Sequence, residues 1–184
     1  SNTQPEMHRV TINLPEQGAL IAEPLSTLKV ALFTDLHIDG GADSLSRLKA
    51  LMTTVVASKP DVILFGGDYV KNPGDLADLD RHRLSVANLM AQTGGITVLA
   101  VLGNHENWTA GLKWQVALRD AGVPVLANSV QQIKSLNLCV RGLGDYYSGE
   151  FRYVEFPSHC EGRRKLSLTP VSYTHLTLPT VYSV

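Results

Sequence analysis

Three short apolar runs, each ending in a cluster of polar residues, constrain this chain more than any other feature. They occupy residues 28–33, 62–65 and 96–102. Runs this short and this rich in Val, Ile and Leu read as strands buried on both faces, as in a parallel sheet. Between them the apolar spacing switches to a helical period. Leu45, Leu48, Leu51, Met52, Val55 and Val56 fall on one stripe, with Asp43 or Ser44 placed to cap its start. A second helix is expected over roughly 76–92, its stripe interrupted by Arg83, stopping before Gly94-Gly95. A third is expected from near Thr109 to Ala121, with Gly122 just past its end. Strand alternating with helix in this way is the signature of an α/β domain with right-handed crossovers.

The flanks are less regular. Residues 8–14 alternate apolar and polar and read as a half-buried strand stopped by Pro15. Two more strands are expected at 123–127 and 136–141, the latter followed by a Gly142-Leu143-Gly144-Asp145 turn. Residues 146–160 read as an aromatic, polar loop, and 165–168 as the start of another strand. With 184 residues, 44% of them apolar, the chain suits one domain with a real core. Its 16 basic and 17 acidic residues leave a net charge of −1, which excludes an acidic disordered tail and gives no nucleic-acid signal. The longest apolar run falls far short of the about 20 residues that span a bilayer. Cys139 and Cys160 form no CxxC pair, and a bridge between them stays open. Localisation is not encoded in this composition.

What ends each strand is informative. The first run ends in Thr34-Asp35-Leu36-His37, the second in Gly66-Gly67-Asp68-Tyr69, the third in Gly103-Asn104-His105-Glu106. In open parallel sheets the carboxyl ends of the strands point into one crevice, where ligands bind. Asp35, His37, Asp68, Asn104 and His105 are therefore expected on one rim. The glycines ahead of Asp68 and Asn104 permit tight turns and close backbone approach. Carboxylates brought this close resist joint ionisation unless something positive lies among them. A divalent cation answers that, and the mixed oxygen and nitrogen donors suit Mn, Fe or Zn better than Ca or a thiolate-seeking metal. Asp68, centred between two sites, could bridge two ions through its two oxygens. Singly, each residue reads as a turn, a cap or a solvated side chain. Three consecutive strand ends together do not, because turn chemistry does not ask for histidine at two of them.

The three motifs together resemble the calcineurin-like metallophosphoesterases. With the Gly142-Leu143-Gly144-Asp145 segment, the chain is most similar to the bacterial branch of membrane-associated phosphohydrolases and UDP-diacylglucosamine pyrophosphatases. The resemblance implies a four-layer α/β/β/α sandwich with two divalent ions at the strand ends. Asp35 and His37 would hold the first ion, Asp68 would bridge both, Asn104 would hold the second, and His105 would act catalytically beside the phosphate. It implies hydrolysis of a phosphomonoester, phosphodiester or pyrophosphate bond by a metal-bound hydroxide. The substrate would be a phosphorylated small molecule or a lipid-linked one.

The chain departs from the family pattern in three ways. It has no Gly-His pair, and His159 and His175 read as loop surface. Lys71 stands where some members carry an aspartate that orients the catalytic histidine. From about residue 170 the sequence breaks the preceding pattern, so 1–169 is taken as an incomplete domain and 170–184 as a non-native tail. On this view a large apolar patch should lie bare on the first sheet, because most of the second would be missing. A non-catalytic, metal-poor module of the same fold is the rival reading. Arg81-His82-Arg83 and Arg163-Arg164-Lys165 read as solvated faces, though the latter could meet an anionic membrane surface. Trp108 and Trp114 read as packing residues, with Trp108 and Tyr69 directly beside a motif. Tyr146 and Tyr147 could wall a substrate cleft.

Overall fold

In the computed structural model, residues 27–39, 41–71 and 79–170 are described; the expected strand at 8–14 and the segment 171–184 lie outside them. The three apolar runs form β1 (Val30–Phe33), β2 (Val62–Phe65) and β3 (Thr97–Ala100), a parallel sheet in the order β1-β2-β3. The register sets Val30 beside Val62 and Val62 beside Thr97. The helical segments form α1 (Ala42–Ala57), α2 (Leu79–Met90) and α3 (Asn104–Asp120). Strands added in sequential order through right-handed crossovers must carry the crossover helices on one face. The core agrees. Leu48, Met52 and Val55 of α1, Val86 and Met90 of α2, and Trp114 and Leu118 of α3 pack with Phe33, Ile63, Phe65, Val98 and Ala100. Each large apolar side chain so buried contributes about 1.5–3 kcal/mol.

The opposite face of the same strands presents Val62, Leu64, Leu99 and Val101 to a second sheet. That sheet comprises β4 (Ser129–Ile133), β5 (Leu138–Gly142) and β6 (Arg164–Leu168). β4 is antiparallel to β5, and β5 is parallel to β6. Ile133, Leu138, Val140 and Leu168 complete this inner layer. Helices, sheet and second sheet make three layers of an α/β architecture among the described residues.

Several expectations change. The second sheet covers β2 and β3, so the bare apolar patch shrinks to the edge strand, where Val30 is 38% and Leu32 56% exposed. β1 is accordingly not buried on both faces. Residues 123–127 form no strand but a single parallel bridge, Ala100 to Val125, held by Leu126 N–H on the Ala100 carbonyl. β4 escaped the sequence reading because Ser129, Gln131 and Gln132 dilute its apolar signal. α3 begins at Asn104 rather than near Thr109, with a non-helical Ala110 (φ −176°, ψ 66°) beside Gly111 separating its first turn from the rest. Its buried apolar stripe starts only at Trp114, so the first turn left no periodic trace.

The cluster at 81–83 is not a solvated face. Arg81 is exposed, but His82 and Arg83 are buried. The Arg83 guanidinium lies 5.6 Å from the centre of a Trp114 ring and bonds to Asp80 at the surface. The stripe of α2 therefore includes Arg83 instead of being broken by it. Cys139 and Cys160 form a disulfide that joins β5 to the 3₁₀ turn Ser158–Cys160. Among the described residues no helix is long and apolar enough to cross a membrane.

Candidate metal centre

Beyond the last paired residues of β1 and β2 the two segments stay zipped together. Asp35 N–H donates to the Gly67 carbonyl (3.2 Å), His37 N–H to Asp68 (3.0 Å) and Ile38 N–H to Tyr69 (2.7 Å). Within this zipper Asp35, His37 and Asp68 adopt left-handed backbone, with φ of 54°, 44° and 55°. Side-chain-bearing residues adopt this conformation at a cost of about 1–3 kcal/mol each and keep it where their surroundings over-determine it. Here it gathers the three side chains. One donor atom each from Asp35, His37 and Asp68 lies within 4.8 Å of the others. Asp35 Oδ1 is 3.7 Å from His37 Nε2. Asp68 is buried, while the Asp35 and His37 side chains are 39% and 40% exposed, which leaves the cluster open to solvent on one side.

The second and third motif loops touch through two glycines. A Cβ on Gly67, whose φ is 90°, would sit 2.6 Å from Gly103 N, and one on Gly103 would sit 2.1 Å from Asp68 Oδ1. Asp68 reaches its place only because Gly103 leaves the space.

Glu106 ties these loops. Its side chain is fully buried and accepts N–H bonds from Asp68 (2.9 Å), Tyr69 (2.7 Å), Val70 (3.3 Å) and Gly103 (3.0 Å). Burial and, next, the negative charge of Asp68 push its carboxyl up to about 7, against the N–H donors that favour the ionised form. Glu106 is not among the site residues expected from the sequence. Its one signal was local: a Glu three residues past Gly103 matches the reciprocal half of a capping box.

Asn104 is buried, and its Oδ1 has no hydrogen-bond partner. A buried acceptor left unmade costs about 1–3 kcal/mol, so the atom calls for a donor or a cation. Next to it, His105 N–H donates to Asp68 Oδ1 (3.3 Å). Two carboxylates, an imidazole and an unmatched amide oxygen are a donor set that fits a divalent cation of the Mn, Fe or Zn kind. The structure thus brings Asp35, His37 and Asp68 into one cluster and sets Asn104 and His105 in the first turn of α3, next to Gly103, which touches Asp68.

The His105 ring is held by packing. It meets His37 edge-on (4.9 Å between centres, 71°) and stacks on Trp108 (5.9 Å, 26°). Its Nδ1 is buried without a partner, and Lys71 is exposed. Trp108 is itself 65% exposed, which corrects the packing role expected of it, whereas Trp114 is wholly buried as expected. Tyr69 is also wholly buried, with its hydroxyl donating to the Val101 carbonyl, and does not face the crevice. His159 lies beside Cys139 and Cys160, but the disulfide occupies both sulfurs; His175 lies outside the described residues. In the cluster at 163–165, Arg163 is engaged with the His159 carbonyl and Asn137 Oδ1.

Residues 28–166, which include every residue of this rim, match the calcineurin-like phosphoesterase family, Metallophos. The chain belongs to that family. Calcineurin-like phosphoesterases bind divalent metals, in keeping with the Asp35, His37 and Asp68 cluster. A protein of Bacillus subtilis (strain 168), "Uncharacterized metallophosphoesterase YkuE", is 30% identical over 107 residues, 58% of this chain and 36% of that protein. The chain therefore matches only about a third of the length of that calcineurin-like relative, at the stated 36%.

Proposed function

We propose that this chain is the metal-binding part of a metal-dependent phosphohydrolase. Asp35, His37, Asp68 and Asn104 would hold two divalent ions, with Asp68 shared between them, and His105 would stand at the substrate phosphoryl group. The supporting observation is the convergence itself: three donors within 4.8 Å, beside a buried amide oxygen that has no partner. When bound, such ions lower the pKa of water and offset phosphate charge. The chain's own residues do the rest. Asp68, held through its backbone by Glu106, keeps its carboxylate at the loop junction, while His37 and Trp108 pack against the His105 ring. A group so placed can steady a phosphoryl oxygen or protonate a leaving oxygen. The reading covers phosphomonoester, phosphodiester and pyrophosphate bonds, on small or lipid-linked substrates.

The test is Asp68→Ala, with Mn binding followed by calorimetry and hydrolysis followed with bis(p-nitrophenyl) phosphate. Loss of both is expected. Hydrolysis that survives the change undiminished, or a parent chain that takes up no divalent ion, would overturn the assignment. A parent chain that binds metal yet hydrolyses nothing would favour a binding module.

A further inference from the structure

A groove between α2 and α3 shares no residue with the strand-end rim. It encloses about 370 Å³, within the range of about 300–1,000 Å³ usual for small-molecule sites. Leu84 of α2 and Leu112 and Val116 of α3 line it, and they are 55%, 77% and 45% exposed. Leu112 and Val116 are one helical turn apart and lie on one face of α3. With Ala117 they make an apolar lining that is wholly aliphatic.

The polar lining carries a second observation. Arg83 lines the groove with only 4% of its side chain exposed, and its Nη1 donates to Asp80. Its Nε and Nη2 are buried without a partner, as is Nε1 of Trp114, on whose ring the guanidinium lies. All three atoms are donors. Unmatched donors on and beside a buried cation select an anionic acceptor over a neutral one. Asp80 shows which kind of anion the cations take. Its carboxylate, 70% exposed, bridges the Arg83 guanidinium and Lys113 Nζ (3.5 Å). The other acid of the lining, Asp120, is turned to Arg119 (2.9 Å). Among these five side chains three cations face two carboxylates, and one positive charge is left over.

We propose that this groove binds a fatty carboxylate, its head accepting from Arg83 and Lys113 where Asp80 now does, its chain laid along Leu84, Leu112 and Val116. The two oxygens of such a head match the Nη1 and Nη2 fork of Arg83, of which Asp80 uses one prong. Asp80, largely in solvent, is free to turn away. A flexible aliphatic chain suits the space better than a partner helix does. One turn of helix about 10 Å across fills about 400 Å³, more than the groove holds. The proposal stands independently of the metal centre and of the phosphohydrolase reading.

The test is calorimetry in metal-free buffer with decanoate, octanoate, acetate and 1-octanol, each below its micelle concentration. It is run on the parent chain, Leu112→Asn and Lys113→Glu. Both side chains are largely exposed, and an unchanged melting curve checks the fold of each variant. Decanoate should bind once per chain, and octanoate more weakly by at most about 15-fold for two fewer methylenes. A hydroxyl in place of the carboxylate should weaken binding further, 1-octanol against octanoate, by about 10- to 150-fold. Acetate should not bind. Leu112→Asn should weaken decanoate and keep the preference for octanoate over 1-octanol, whereas Lys113→Glu should remove most of that preference. The site is overturned by a parent chain that binds no decanoate, by 1-octanol equalling octanoate, or by decanoate binding that both variants leave unchanged. Sedimentation decides the rival occupant. A parent chain that dimerises, and that Leu112→Asn makes monomeric, would assign the groove to a second copy and overturn the carboxylate site.

Discussion

Two buried ionisable side chains organise the two sheets, and they do so by different means. At the rim of the parallel sheet the Glu106 carboxylate, fully buried, gathers four backbone N–H groups from residues 68–70 and 103. On β5 the buried Arg141 guanidinium donates to Ser167 Oγ and the Val154 carbonyl and lies over the rings of Tyr153 (4.8 Å) and Phe156 (4.6 Å). Glu106 acts on main chain, in loops where two glycines leave no room for a Cβ. Arg141 acts mostly on side chains, in a long loop whose far end is held by the disulfide. The first arrangement fixes atoms and leaves nothing to vary. The second tethers a segment and leaves its outer aromatics displayed. Residues that must hold a cation belong on the first kind of support, and residues that choose among substrates can sit on the second.

The largest expected effect is at Glu106. Glu106→Ala strands four buried N–H groups, and at about 1–3 kcal/mol for each the loss of stability in urea should reach about 4 kcal/mol or more. Mn binding should fall with it. A loss below about 1 kcal/mol would break the comparison, because the carboxylate would then not be the organiser.

Next comes the disulfide. Cys139 and Cys160 are 21 residues apart, so Cys160→Ser should cost about 3 kcal/mol by release of that loop. Mn affinity should stay as it was. A matching fall in Mn affinity would show that the two supports are coupled.

A pair of glycines sharpens the contrast at equal steric insult. A Cβ on Gly103 would sit 2.1 Å from Asp68 Oδ1, and a Cβ on Gly142 would sit 2.1 Å from Leu126 Cβ. Each alanine variant should lose about 1–3 kcal/mol on thermal unfolding. Only Gly103→Ala should also lose metal affinity, by about 10- to 100-fold. Equal metal affinities in the two variants would mean that the rim tolerates displacement of Asp68.

The smallest effect is pH-dependent and belongs to α2. Burial holds the His82 imidazole below its usual value, opposed by the Ile38 backbone and by the charge of Asp39. The unfolded chain therefore takes up a proton before the folded one does. Above the ordinary imidazole range the group contributes nothing; as pH falls through about 6.5, stability is lost until the folded value is reached. The slope cannot exceed one proton, about 1.4 kcal/mol per pH unit. Denaturation midpoints between pH 7.5 and 5.5 should fall more steeply for the parent chain than for His82→Gln. Parallel curves would place the acid sensitivity elsewhere.

Much of this was legible beforehand where the signal is local. The runs that became β1, β2 and β3, the stripe of α1 and the motifs at the strand ends are patterns within a few residues. The errors are not local. Arg83 looked like an interruption because its partner ring, Trp114, is on another helix. β4 was missed because a strand with one face in solvent, next to a polar hairpin, has little apolar period. The start of α3 was placed late because its first turn is held by Glu106 reaching back to another loop.

The sequence by itself determined the fold class and which residue types stand at each strand end, since buried strands and their terminal loops must announce themselves in consecutive positions. Tertiary structure alone decided that Glu106 binds the loop of Asp68 across 37 and 38 residues, that Cys139 pairs with Cys160, and that Trp108 is displayed while Trp114 is buried. Those outcomes depend on which surfaces meet once the layers close, and no stretch of chain carries that information until they do.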